Sequence, residues 1–552
     1  NKFPETAKLV ENLSDNDIWK LNRGGHDPVK VYAAYKRANE TKGRPSVILA
    51  KTVKGYGMGS AAEGMNIAHG VKKVDVNQLK AFRDRFDLPI SDEDVESYSY
   101  YKPDENSPEV QYLKEKRAAL GGFVPQRREK FSNKLEIPAL SEFESIIAGS
   151  GDREISTTMA FVRVLNALLK DKQIGKNIVP IVPDEARTFG MEGMFRQFGI
   201  YSSAGQKYIP QDKDQVAFYK EDIKGQVLQE GINELGAMSS WIAAATSYSV
   251  NDYPMIPFYI FYSMFGFQRT GDLCWAAGDQ KARGFLVGGT SGRTTLNGEG
   301  LQHEDGHSHI LANTIPNCIT YDPTYGYEVA VIVQNGIQRM YGENQEDIFY
   351  YITTLNENYA QPAMPENAQE GIIKGIYKVK TFEAKNDYKV KLLGSGSIFQ
   401  EAMKAAEILS KEYDIKVDIY SVTSYNELTR EAQDLERENL LNLDTTAKTP
   451  YIEKVLGSDT DSIIISATDY MKAYSEQLRP YIKGNFKALG TDGFGRSDSR
   501  ANLRKFFEVD TNFIVYTTLA ELAINGKIDK KVALEAKNKY AIDTNKINPR
   551  NA

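Results

Sequence analysis

Apolar positions along this chain of 552 residues follow two periods. Phe161, Val164, Leu165, Leu168 and Leu169 recur three and four apart, which predicts an amphipathic helix capped by Ser156 or Thr157. Short unbroken apolar runs follow at 178–182, 258–262, 285–287, 318–321 and 348–355. Runs of this length between helical patterns read as strands buried on both faces of a parallel sheet. The predicted fold class is α/β, with parallel sheets and helices on both faces. Another strand–helix–strand unit spans 388–394, a helix to about 413, and 417–422. With a strand at 462–466 and a helix near 519–525 it predicts a smaller C-terminal α/β domain. Upstream, helices fill most of 1–40, and 46–50 reads as a buried strand. The stretch 98–140, rich in Tyr, Pro, Lys and Glu and poor in periodicity, reads as a domain linker.

Composition narrows the partners. Hydrophobic residues at 41% and charged residues at 26% allow a sizeable core. The net charge of −6 argues against nucleic acid or an anionic membrane as partner. The longest apolar run, near 254–267, is too short to span a bilayer and contains Pro257. Cys274 and Cys318 have no metal or redox spacing and read as reduced, buried thiols, which fits a cytoplasmic protein. The chain starts at Asn1 without Met or an apolar leader, which reads as a processed or trimmed start.

Candidate chemistry sits in loops. The run at 51–59, Lys-Thr-Val-Lys-Gly-Tyr-Gly-Met-Gly, follows a predicted strand and offers a phosphate cradle. Asp184 and Glu185 stand at the carboxyl end of the 178–182 strand, where open α/β sheets bind ligands. All five histidines, His26, His69, His303, His307 and His309, fall in glycine-rich polar loops. The cluster at 302–309 invites a metal, but Gly306 breaks the helical alignment of its histidines, so a catalytic imidazole is the stronger reading. A capped polar loop is the blander one for His307 and His309. Gly394 and Gly396 lack a third glycine and a ribose acid, so they read as a tight strand–helix turn. Finally, Glu234 lies between Gly231 and Gly236 where a turn enters a helix, and the apolar segment 257–266 ends in aromatics. A carboxylate beside an aromatic face suits a flat nitrogen heterocycle.

That pair closely resembles the aminopyrimidine site of thiamin-diphosphate enzymes. Further words resemble the homodimeric, bacterial-type pyruvate dehydrogenase family, the decarboxylating first components of a multienzyme complex. They are 184–193 (Asp-Glu-Ala-Arg-Thr-Phe-Gly-Met-Glu-Gly), 228–236 (Leu-Gln-Glu-Gly-Ile-Asn-Glu-Leu-Gly), 265–269 (Phe-Gly-Phe-Gln-Arg), 300–309, 350–359 and 490–500. The resemblance runs end to end. It implies a transketolase-like fold: 1–100 the tail of a diphosphate-binding domain, 101–140 a linker, 141–362 a pyrimidine-binding domain and 363–552 a C-terminal domain. It implies thiamin diphosphate with Mg²⁺, and oxidative decarboxylation of pyruvate with acetyl transfer to the lipoyl group of a dihydrolipoamide acetyltransferase partner, by a homodimer.

The roles follow by resemblance. Glu234 is the acid that hydrogen-bonds the pyrimidine N1′ and favours its imino form. Phe265 stacks on the pyrimidine. Tyr262 and His303 lie near the substrate carbonyl, and Asp184 and Glu185 are acids at the same crevice. His69 belongs to a mobile inner loop that covers the site and aids acetyl transfer, 203–220 forms the outer loop, and Lys54 lies near the bound intermediate. One departure is large. The family's Gly-Asp-Gly with a following Asn, which holds Mg²⁺ and the diphosphate, is absent; Gly271-Asp272 continues with Leu273. The metal ligands are therefore expected in an N-terminal segment that this chain lacks. Two other functions compete: a transketolase-like enzyme acting on sugar phosphates, and an inactive truncated subunit or scaffold.

Overall fold

The computed structural model describes all residues except 1–2, 21–23, 124–126, 184–185, 212 and 214–218, and the side chains of 19–20. The chain divides into two compact units, Asn1–Val124 and Pro125–Ala552.

In the first unit, helices begin where sequence caps them. Asp27 accepts the amides of Val29 and Lys30 and Pro28 opens the helix Pro28–Glu40, and Asp75 with Gln78 forms a capping box on Val76–Arg85. The stretch read as a linker contains a further capped helix, Pro108–Ala119. The expected strand at 46–50 does not form: Val47 and Leu49 are 82% and 91% exposed, and pairing is limited to a single bridge between Gly24 and Lys51. An apolar run becomes a strand only with a partner strand, which no described residue supplies here. The glycine-rich loop is also not an open cradle. Glu63 Oε2 accepts the amides of Gly57 and Gly59, and Arg85 pins the carboxylate from outside. The amides offered to a phosphate are already taken by a side chain of the same unit.

The second unit is built on two sheets. Six parallel strands, β1 (Ile178–Val182), β2 (Leu228–Gln229), β3 (Ile256–Tyr262), β4 (Phe285–Gly289), β5 (Cys318–Tyr321) and β6 (Phe349–Thr353), lie in the order β2-β1-β3-β4-β6-β5. Alternate residues of each strand enter separate cores. Phe258, Ile260, Phe285, Val287, Tyr350 and Ile352 join one, with helices α1 (Thr157–Lys170) and α4 (Gly326–Tyr341). Tyr259, Phe261, Leu286, Phe349 and Tyr351 join the other, with α2 (Glu234–Ala245) and α3 (Ser263–Asp279). Both faces are covered, which is why these strands are uniformly apolar.

The second sheet, β7 (Ile376–Phe382), β8 (Asn386–Gly394), β9 (Ile415–Val422), β10 (Ile463–Ala467) and β11 (Asn485–Leu489), runs β7-β9-β8-β10-β11. It is parallel except for β7, which pairs antiparallel with β9. Helices α5 (Ile398–Tyr413) and α6 (Thr511–Ile524) pack on it, and its core is continuous with the α1–α4 core. The fold is thus the expected parallel α/β architecture with a smaller C-terminal domain.

Candidate active site

Glu234 is the first residue of α2. Gly231, at φ +74°, makes the turn into the helix, and the Asn233 side chain caps it by accepting the Gly236 amide at 3.0 Å. This leaves the Glu234 carboxylate free of capping duty and turned to Arg269, whose Nη1 donates to Oε1 at 2.5 Å. Arg269 and Phe265 are one turn apart on α3, and the guanidinium carbon sits 4.2 Å from the Phe265 ring centre. Strand β3 ends at Tyr262, against which both Phe265 and His303 pack edge-on. His303 closes a short 3₁₀ turn, Leu301–His303, with its ring centre 4.9 Å from that of Phe265.

These side chains line one cavity of about 420 Å³, together with Pro183, Tyr259, Phe261 and Gln302. The volume suits a small-molecule site, with a cluster of aromatic rings and a few convergent polar groups. Burial holds the Tyr259 phenol well above its ordinary range, so it stays neutral. The Nδ1 of His303 is buried and has no hydrogen-bond partner among the described residues. An orphaned polar atom and an acid beside an open aromatic face fit the polar ring of an aminopyrimidine. Among the described residues, no three His, Cys, Asp or Glu side chains form a group that could hold a metal ion.

The structure therefore brings Glu234, Tyr262, Phe265 and His303 together. His69 and Lys54 lie in the first unit, His69 ending the turn Asn66–His69. Asp184 and Glu185 lie outside the described residues, as does part of the expected outer loop. His307 and His309 are elsewhere. His307 Nδ1 faces Arg293 Nη2 at 3.4 Å. His309 is on a helix, Ser308–Asn313, and not in a loop; it is fully buried, bonded to Thr353 and packed among Tyr351, Tyr470 and Tyr474. Sequence reasoning missed Arg269, although its spacing of four from Phe265 on a helix signals a shared face.

Known families match most of the chain. Residues 14–135 match the family described as transketolase, thiamine diphosphate binding domain; 135–362 match the pyruvate dehydrogenase E1 component middle domain; 375–510 match the transketolase-like TK C-terminal domain. Solved transketolases share the fold. That of Campylobacter jejuni aligns with TM-score 0.61 at 17% identity, over 90% of this chain and 66% of its own, and that of Leishmania mexicana with TM-score 0.59 at 17%, over 91% and 65%. The chain belongs to the transketolase-like, thiamin-diphosphate superfamily. Within it, the sequence places the chain in the pyruvate dehydrogenase E1 component family. The E1 component of Escherichia coli is 61% identical over 550 residues, that of Pseudomonas aeruginosa 61% over 547, and that of Haemophilus influenzae 57% over 551. These alignments cover 99–100% of this chain, which spans only 61–62% of the length of those relatives.

Proposed function

We propose that the chain carries the pyrimidine-side half of a thiamin-diphosphate site and serves in oxidative decarboxylation of pyruvate, with acetyl transfer to a lipoyl group on an acyltransferase partner, as a homodimer. One observation carries the reading: Glu234, Tyr262, Phe265 and His303 converge on a single aromatic cavity with the acid at its edge. Thiamin diphosphate, when bound, supplies the carbon nucleophile and the electron sink that a 2-oxo acid needs to lose CO₂.

In this reading Glu234 holds the pyrimidine at its ring nitrogen and exchanges a proton there, Arg269 anchoring the carboxylate. Phe265 gives the ring its flat apolar contact. Tyr262 and His303 orient the substrate carbonyl and hold the proton on that side. Lys54 and His69, in the first unit, are assigned to the intermediate and to acetyl transfer by resemblance alone, and Asp184 and Glu185 are assigned by resemblance alone as acids at the same crevice. Residues 141–362 then serve as the pyrimidine-binding domain, and 363–552 as the C-terminal domain. No group of three His, Cys, Asp or Glu side chains stands ready for Mg²⁺ among the described residues. A sugar-phosphate substrate is less well served, because Arg269 is the one Arg or Lys among the described lining residues, and it is paired.

The test is turnover by the protein at its native length, supplied with thiamin diphosphate, Mg²⁺ and a lipoyl disulfide acceptor or an artificial two-electron oxidant. CO₂ release from pyruvate is expected, with none of the ketol transfer that a ketose phosphate would undergo. Ketol transfer without release from pyruvate, or neither reaction, would overturn the reading.

A further inference from the structure

No neighbour among the described residues hydrogen-bonds the His303 Nδ1, and its ring is held on Tyr262 and Phe265 by edge-on packing. Packing of this kind fixes distance better than orientation. The placement of the imidazole therefore depends on the backbone turn 301–303 that carries it. The next residue, Glu304, ends that turn with its side chain only 1% exposed as a residue and directed away from solvent. Its Oε2 accepts the backbone N–H of Arg496 at 2.6 Å.

The loop around Arg496 follows β11 and supplies no lining residue of the cavity among the described residues. It nevertheless lies against the His303 turn. A Cβ on Gly495 would fall 2.3 Å from the Leu301 carbonyl oxygen and 2.9 Å from the Glu304 side chain, so only glycine permits the approach. Arg293, buried in the loop after β4, ties the same segment by donating to the carbonyls of Thr491 at 2.6 Å and Gly493 at 2.5 Å. Ser497 adds a bond to the Glu299 carbonyl at 2.8 Å.

We propose that Glu304 is a positioning residue: it latches the turn that carries His303 to the Gly493–Ser497 loop, so that the C-terminal domain sets the place of an imidazole it does not touch. The proposal deepens the functional reading above and rests on it for the role of His303. The latch is made by an acceptor oxygen. Arg293 lies near the carboxyl, but so does Asp469, and burial together with Asp469 pushes Glu304 up to about 7. Its Oε1 has no partner among the described residues. A neutral glutamine can therefore reproduce the contact, and alanine cannot.

The experiment follows the His303 Cε1–H resonance in histidine-labelled protein, assigned by substituting each of the five histidines in turn. Ring currents from Tyr262 and Phe265 make that shift a direct report of placement. Glu304→Ala is expected to move it, Glu304→Gln to restore it, and Gly495→Ala to move it as Glu304→Ala does, with the His26 and His69 resonances unchanged. Loss of fold would disturb all five, and the isosteric Gln variant guards against that case. An unmoved His303 resonance in Glu304→Ala, or a Gln variant that fails to restore it, overturns the proposal. Where pyruvate turnover is present, kcat in the Ala variant falls roughly 10²-fold, as for a misplacement near 1 Å, with KM little changed. If the wild type decarboxylates nothing, the functional reading fails while the resonance still decides the latch.

Discussion

Glu234 and His309 are both polar residues in an apolar setting, and they have opposite consequences. The Glu234–Arg269 pair is half open to solvent, with Arg269 48% exposed, so it adds little to stability, about 0–1 kcal/mol. Glu234→Gln keeps volume and polarity but cannot exchange a proton. We expect decarboxylation to fall by roughly 10²–10⁴-fold with the thermal midpoint unchanged; near-normal turnover would refute the assignment. His309 is the reverse. Burial lowers its ring to about 3, below the ordinary value of about 6.5, so the folded protein binds the proton less well than the unfolded chain. Its contribution is complete above pH 6.5 and is lost as pH falls from there toward 3. Asp322, bonded to Thr353, Ser395 and Tyr470, is pushed up to about 7 by burial. Its contribution is complete below about pH 4 and is lost as pH rises toward 7. Denaturant midpoints against pH should show His309→Gln flattening the acid limb and Asp322→Asn the limb between 4 and 7. A curve that keeps its shape in both variants would show that neither group titrates as placed.

At the scale of elements, α3 reaches its place because of a glycine. A Cβ on Gly266 would lie 1.9 Å from the Phe261 ring of β3, so the helix carrying Phe265 and Arg269 can lie this close to the strand only without a side chain there. Gly266→Ala is expected to destabilise by about 1–3 kcal/mol, measured by chemical unfolding; a neutral effect would mean that α3 shifts freely. The same scale shows what sequence can tell. Strands β1, β3, β4, β5 and β6 were legible because burial on both faces leaves an unbroken apolar run. Strand β7 was not, because its apolar residues alternate with Lys378 and Lys380 at a sheet edge. The run 46–50 was misread because burial belongs to the neighbours and not to the run. At the site, Glu234, Phe265, Tyr262 and His303 were legible as family words with fixed spacing. Arg293 and Glu304 were not, since their meaning comes from a loop nearly two hundred residues away, as the separation of 192 between Glu304 and Arg496 shows.

Across the whole second unit, buried charge joins the two sheets. Arg504 donates to Glu357 and Glu401, and Asp469 accepts the amides and hydroxyls of Thr294 and Thr295. Glu357 and the threonines belong to the part with the cavity, and Arg504, Glu401 and Asp469 to the part beyond it. Removing one partner strands the others in a poorly solvated place, which costs about 3–5 kcal/mol. Arg504→Met should therefore lower the calorimetric midpoint and separate one transition into two. A single transition at the wild-type temperature would mean that apolar packing alone joins the sheets.

The strand order has a consequence for synthesis. Among the described residues strand β5 pairs only with β6, which is later in the chain and lies between β5 and β4. A nascent chain that has emerged as far as Tyr341 holds an apolar strand with nothing to join, and a β4 edge still open beside it. Translation must continue through Thr353 before either is covered. Until then the ribosome carries two unpaired edges, the template on which strands of different molecules add to one another. Chains stalled just short of Phe349 should be held by chaperones and aggregate on release, and chains stalled well past Thr353 should not.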